Sequence, residues 1–370
     1  MGNDESNTKT VSAAGGPGAS SESSGVLVQL GEGAPKSSGE NGVSDPELRT
    51  MFLEAASRGT DSADEFFNRF RCMQDVFYGR NYSSALQEGL FLLTKCKNID
   101  AGVYQTIHKG TPFYWLGMAA FLVSDYETAA FLFDAAVSED IRAGRNPTKE
   151  STPAFRFILV EGDQPGQAAK PLVLAMQNRL EAAISGYNAQ LGRSPGISDL
   201  ALPDVRQKFL LPALSTMNKR WRSLATALIS YFLEWDYRST LIDLRPGPGT
   251  AEPFFLHLFK GCVLFESLLK ANPTAAVSGK MLGQVLDELS SALGIPPRLG
   301  IGGGVTFPMV VGELASANDE VKTAVRFAGR IRNTVGHDLG WEANLDRSQY
   351  DKLASMVASS FLHAIACLYR

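Results

Sequence analysis

Phe113-Tyr-Trp-Leu-Gly-Met-Ala-Ala-Phe-Leu-Val-Ser-Asp-Tyr-Glu-Thr-Ala-Ala-Phe-Leu-Phe-Asp-Ala-Ala136 decides the class of this fold. Its apolar and small residues fall at Phe113, Leu116, Gly117 and Ala120, then at Tyr126, Ala129, Phe133 and Ala136. Steps of three and four put such residues on one face of a helix. Ser124-Asp125 between the two runs supplies a tight turn, so the stretch predicts two antiparallel helices. Gly117, Ala120 and Ala129 allow close approach, and Phe133 fills the groove between the helices. The same texture spreads outward, through Leu48, Met51, Phe52 and Ala55, and through Phe66, Phe70, Met73 and Phe77. Helices are expected over 63–79, 82–97, 102–122, 126–142, 169–191, 203–237, 252–271, 279–293, 319–336 and 347–369. One isolated strand candidate stands out, Phe155-Arg-Phe-Ile-Leu-Val160. The fold class is all-α.

Residues 1–45 hold nine glycines and nine serines and no aromatic residue. A segment so poor in bulky side chains cannot bury enough surface to offset its ordering entropy, so it reads as a disordered tail. The Pro/Gly-rich breaks at 192–203 and at Arg245-Pro-Gly-Pro-Gly-Thr250 interrupt the helices. The expected division is a tail over 1–45, a helical module over 46–200 and a helical bundle over 201–370. No apolar run reaches the length of a membrane span and no basic leader precedes an apolar core. Cys72, Cys96, Cys262 and Cys367 are scattered through apolar stretches, as reduced cytosolic thiols are. The expected location is cytoplasmic. With a formal net charge of −4, the chain is not a general duplex binder, although a local basic site remains compatible.

The Phe113–Ala136 stretch resembles a tetratricopeptide repeat. A fainter copy precedes it, in Cys72, Met73 and Val76 followed by Tyr82, Ala85 and Leu92, with an insertion around 98–109. A third unit is expected over 169–191, with Ala182 and Ala183 as its small residues. Repeats of this kind stack because none buries its own face alone, and the stack presents a concave surface for a protein, a small-molecule trigger or a second copy.

The residues that carry chemistry lie in Arg330-Ile-Arg-Asn-Thr-Val-Gly-His-Asp-Leu-Gly-Trp341. They end a helix whose apolar stripe is Val321, Ala324, Val325, Ala328, Ile331 and Val335. Histidine titrates near neutral pH and can take or give a proton. Arginine offers a permanently charged planar fork that matches a phosphate. Asn333 lies one turn before His337 and can orient its ring or a ribose. Arg332 is five residues from His337, about 140° around an ideal helix at roughly 100° per residue, so one copy does not easily focus both on one phosphate. Two copies across a two-fold axis would, and two-fold dimers are the commonest oligomers.

The Arg332-Asn333-x-x-x-His337 pattern resembles the HEPN superfamily (higher eukaryotes and prokaryotes nucleotide-binding), over roughly residues 205–370. Its ribonucleases carry an Arg-x(4–6)-His signature near the end of one bundle helix. Gly336 departs from the alanine that many relatives carry before the histidine. The resemblance implies Arg332 and His337 as catalytic residues, Asn333 and Arg330 as supporting ones, and Glu266 as an acidic residue facing the motif. It implies a regulated endoribonuclease of defence or toxin systems that cleaves RNA by 2′-hydroxyl transesterification at a homodimer site. The alternative is a non-catalytic adaptor that dimerises or binds a nucleotide or a protein. No metal or cofactor site is assigned. Gly302-Gly-Gly304 reads as a turn rather than a phosphate loop, His257 and His363 as packed core residues, and His108 has no partner in view.

Overall fold

The breaks between helices, more than the helices themselves, shape this molecule. The computed structural model describes residues 45–190, 197–216, 219–244, 251–272, 276–302, 304–336 and 344–369. The tail to residue 44 and the break Arg245–Thr250 lie outside the described residues. The described residues form seventeen α-helices and one π-turn, with no strand among them, so the fold is all-α.

The first seven helices are α1 (Asp45–Arg58), α2 (Thr60–Asn68), α3 (Arg71–Phe77), α4 (Tyr82–Ile99), α5 (Ala101–Thr106), α6 (Gly110–Leu122) and α7 (Tyr126–Arg142). α6 and α7 form the most extensive pairing among the described residues. Ser124 takes φ +66° in the turn between them, and the Asp125 side chain caps α7 by accepting from the Thr128 N–H. A methyl at Gly117 would lie 2.9 Å from the Phe133 ring, which is why α6 needs glycine there. α3 and α4 form a second hairpin against α6. Two expected helices are each split. Phe70 is extended (ψ 137°) between α2 and α3, and Ile107 is extended (ψ 142°) between α5 and α6.

α8 (Pro153–Ile158) replaces the expected strand over Phe155–Val160. The Thr152 hydroxyl accepts from the Phe155 N–H, and Pro153 occupies the first turn, both helix-start signals stronger than a short apolar run. Val160 then turns to φ +55°, and its carbonyl accepts from Arg206. α9 (Ala169–Ala189) packs on the later helices Lys219–Leu244 and Arg347–Leu368, rather than stacking as a third repeat on α7.

The expected single helix over 203–237 is divided into α10 (Leu202–Val205), a π-turn (Arg206–Leu210), α11 (Leu211–Ser215) and α12 (Lys219–Leu244). Pro212 cannot donate to the carbonyl four residues back, and the ladder ahead of it widens. Thr216 then leaves helical geometry (ψ 147°). The remaining helices are α13 (Glu252–Ala271), α14 (Leu282–Leu293), α15 (Phe307–Leu314), α16 (Val321–Val335) and α17 (Arg347–Leu368). α12, α13, α16 and α17 pack on one another as a bundle. Gly261 lets α13 approach closely, since a methyl there would lie 2.4 Å from Tyr231 and 2.5 Å from Val357. α12 also packs on α7 and α8, and one hydrophobic core runs continuously through the described residues.

Candidate functional site

The stripe Val321, Ala324, Val325, Ala328, Ile331 and Val335 is buried, and it seats α16 against α13 and α17. This rotation leaves Arg330, Arg332 and Asn333 half-buried at the helix end. α13 runs beside it and places Glu266, whose side chain is 8% exposed, under Arg332. Arg332 Nε donates to Glu266 Oε2 at 2.7 Å. Lys270, one turn further along α13, donates from Nζ to Glu266 Oε1 at 2.6 Å.

Burial on its own would raise the Glu266 carboxyl, but the hydrogen bonds and charges of Lys270 and Arg332 hold it below the usual carboxylate range. It is therefore ionised at neutral pH. Two cations then share one carboxylate, leaving an excess positive charge where Arg332 reaches solvent, its side chain 35% exposed. Arg332 Nη2 has no hydrogen-bond partner among the described residues. Such a group can receive an anion.

The other residues singled out from the sequence do different things. Asn333 Nδ2 donates to the Ile301 carbonyl at 2.7 Å, and its Oδ1 faces Arg332 Nη1 at 3.4 Å. Arg330 pairs with Glu313 and donates from Nε to the Gly300 carbonyl at 3.1 Å. Both side chains thus tie the glycine-rich segment to α16, and Ile301 packs over Gly329, where a methyl would lie 2.7 Å away. Gly336 ends α16 in right-handed geometry (φ −68°), with its N–H donating to the Arg332 carbonyl. A methyl at Gly336 would sit 2.8 Å from that carbonyl and 3.4 Å from the Phe259 ring, so glycine fits the space left by α13. His337 lies outside the described residues.

Sequence reasoning missed Lys270 and Glu313, although Lys270 stands at the i+4 position from Glu266. It also missed the partners of His108. That ring is 5% exposed and lies between two carboxylates, Nδ1 at 2.9 Å from Asp64 Oδ1 and Nε2 at 3.0 Å from Asp140 Oδ1. Burial pushes its pKa down, but the hydrogen bonds and charges of Asp140 and Asp64 outweigh this and lift it to about 9. Both ring nitrogens therefore donate from an imidazolium. Thr111 donates to Asp64 at 2.8 Å, Arg145 to Asp64 at 3.1 Å, and Thr152 to Asp140. The split between α5 and α6 is what brings His108 into this network.

His257 and His363 are buried. Nε2 of His257 donates to the Tyr231 carbonyl at 2.9 Å, and Nδ1 accepts from the Tyr350 hydroxyl at 2.7 Å. Burial lowers its pKa to about 4. Nε2 of His363 donates to the Leu293 carbonyl at 2.7 Å, and its Nδ1 faces the Tyr187 hydroxyl at 3.0 Å. No disulfide joins the four cysteines, all of which are buried, and burial pushes the Cys72 and Cys96 thiols up to about 12.

Comparison with models of protein families, with curated proteins and with solved structures finds no match to this chain. No helix among the described residues is long and apolar enough to cross a membrane.

Proposed function

We propose that this protein is an endoribonuclease that needs no metal ion, with Arg332 and His337 as its catalytic residues. The observation that carries the reading is the unbalanced cluster in which Arg332 and Lys270 share Glu266. The guanidinium, anchored through Nε on Glu266 and with Nη1 facing Asn333 Oδ1, keeps Nη2 for a ligand, and there it would bind the scissile phosphate and the charge that develops on it. His337 supplies the proton chemistry. The ribose 2′-hydroxyl loses its proton and attacks the adjacent phosphorus. The bond from phosphorus to the 5′-oxygen breaks, and that oxygen takes up a proton. The products are a 2′,3′-cyclic phosphate and a 5′-hydroxyl.

A second copy completes the site. Leu256, Phe259 and Val263 form a stripe along α13 beside the cluster, with Leu256 47% and Val263 39% exposed. Pairing two such stripes would bring two Arg332–His337 sets together. By the same HEPN resemblance the enzyme is a regulated effector of defence or toxin systems, held by its N-terminal helices until a trigger arrives. The adaptor reading draws on one observation, that Arg330 and Asn333 are both bonded to the segment 300–301 rather than open to a ligand.

Incubation of the purified protein with assorted RNAs in EDTA tests the proposal. The expected result is cleavage with cyclic-phosphate ends by the wild type, and a severe loss of it in Arg332→Ala and His337→Ala. A folded variant of either kind that cuts at the wild-type rate removes its residue from the mechanism. Uncut RNA with a dimeric wild type favours the adaptor.

A further inference from the structure

A cleft of about 450 Å³ opens between α2, α3, α6 and the start of α8, in the N-terminal half of the described chain. That volume falls in the range of small-molecule sites, about 300–1,000 Å³. Phe77, Tyr78 and Trp115 wall it, with the Phe77 ring edge-on to Trp115 at 5.2 Å and to Tyr78 at 5.0 Å. These walls are held in place from behind. Gly166, at φ +81°, presses so closely that a methyl there would lie 2.6 Å from Trp115 and 3.2 Å from Phe77, and the Gln167 N–H donates to the Phe77 carbonyl at 2.9 Å.

The polar lining is uncharged, namely Asn68, Gln74 and Thr111. Thr111 already gives its proton to Asp64 at 2.8 Å, so its oxygen can only accept from a ligand. Asn68 and Gln74 carry side-chain amides, which both donate and accept. Outside this lining, the Arg80 guanidinium sits 5.2 Å over the ring of Tyr78, a wall residue that is 48% exposed.

An uncharged, aromatic-walled interior does not take an ionised group, because burying an unpaired charge is costly. It does take a flat heteroaromatic ring whose edge carries donors and acceptors, since such rings stack on aromatic side chains and pair with amides. The cation over the Tyr78 wall asks for an anion attached to that ring. We propose that this cleft binds a nucleotide, its base between the aromatic walls and within reach of Asn68 and Gln74, and its phosphate at Arg80. A proline-rich peptide also offers flat rings to aromatic walls, but it brings no anion for Arg80. The inference does not depend on the ribonuclease reading, which concerns a different part of the chain.

Calorimetric titration of the full-length protein tests it, using the four ribonucleoside monophosphates, their nucleosides, a single-stranded oligoribonucleotide and a proline-rich peptide. At least one monophosphate should bind with a micromolar to millimolar Kd. Tyr78→Ala should weaken it about tenfold, in keeping with the loss of one base–aromatic stack. Gln74→Ala should weaken it while altering the preference among bases. Arg80→Ala should weaken the nucleotide and leave its nucleoside unchanged. All three side chains are exposed, so circular dichroism should match the wild type. The losses caused by Tyr78→Ala and Arg80→Ala should persist in an Arg332→Ala background, which separates this site from the proposed cleavage site. If the oligonucleotide competes with the monophosphate, the nucleotide comes from an RNA chain; if it does not, the ligand is free. No monophosphate binding at millimolar concentration overturns the proposal. So does binding that ignores both Tyr78→Ala and Arg80→Ala, or selective binding of the peptide.

Discussion

Two buried carboxylate clusters, one in each half of the chain, use similar residues to opposite ends. Around His108, the carboxylates of Asp64 and Asp140 meet an imidazolium and the Arg145 guanidinium, and two threonine hydroxyls take further lone pairs. Charge balances and little of the cluster reaches solvent. Around Glu266, one carboxylate meets two cations, and the larger of them opens to the surface. A balanced, enclosed network fixes how helices sit. An unbalanced one at an edge leaves a charge for something else to neutralise. The difference lies in stoichiometry and exposure, not in residue type.

The largest effect expected from this contrast is on stability at the first cluster. His108→Ala leaves Asp64 and Asp140 without their shared partner, and removing one member of a buried charged pair costs about 3–5 kcal/mol. Urea denaturation should show that loss. A cost near the level of a surface substitution would mean the network is not closed, and the comparison would break there. At the second cluster the balance reverses. Arg332→Ala should lower RNA cleavage by about 10²–10³, the usual cost of removing one group that stabilises transition-state charge. Its stability should shift by only about 1 kcal/mol, since Lys270 still neutralises Glu266. A stability loss as large as that at His108, with cleavage intact, would make the two clusters alike.

Changing pH sharpens the same contrast. The folded His108 pKa of about 9 lies above the usual histidine value of 6.5. Its contribution is therefore complete below pH 6.5 and is lost as pH rises through 9. A shift of this size corresponds to about 3 kcal/mol. The facing groups are Asp64, Asp140 and Arg145, with Lys109 paired to Glu139 nearby. Urea midpoints measured from pH 6 to pH 9.5 should fall for the wild type and stay nearly level for His108→Gln. Parallel curves would remove His108 from the linkage.

Periodicity made the helical class and the α6–α7 hairpin legible, because small residues and a turn dipeptide fall at fixed offsets in one continuous run. It did not reveal where long helices break. Ile107 and Phe70 are apolar residues that fit a helix pattern yet adopt extended backbone, and only the tertiary pull of the His108 network and the α2–α3 junction decides that. Phe155–Val160 looked like a strand because apolar runs are ambiguous at short length, and the Thr152-Pro153 cap was the stronger sign. At the candidate site, Glu266 and Arg332 were legible as a pair only through the family resemblance, since 66 residues separate them in sequence. Lys270 was hidden for a different reason: an i+4 ion pair on a helix usually reads as surface decoration. Asp64, Asp140 and His108 come from α2, α7 and the α5–α6 break, and no local spacing links them.

The smallest effect on cleavage belongs to Glu266, and it separates anchoring from mere structure. Glu266→Gln keeps the side chain's shape but removes the charge that Lys270 and Arg332 share. Stability should fall by roughly 1–3 kcal/mol, as for a hydrogen bond to a charged group. The folded carboxyl lies below its ordinary range, so this contribution is present above the unfolded pKa and is lost as pH falls below it and through the folded pKa. The stability gap between wild type and Glu266→Gln should therefore narrow on acidification. Catalysis should respond in a split manner. The cluster would carry one more net positive charge, so RNA should bind at least as well and KM should not rise. The guanidinium would lose its fixed partner, so kcat should fall several-fold, less than in Arg332→Ala. Glu266→Asp, which restores the charge on a shorter arm, should recover part of kcat. A variant with unchanged kcat and KM would show that Glu266 only packs α13 against α16, and the open cluster would then owe its charge to position alone.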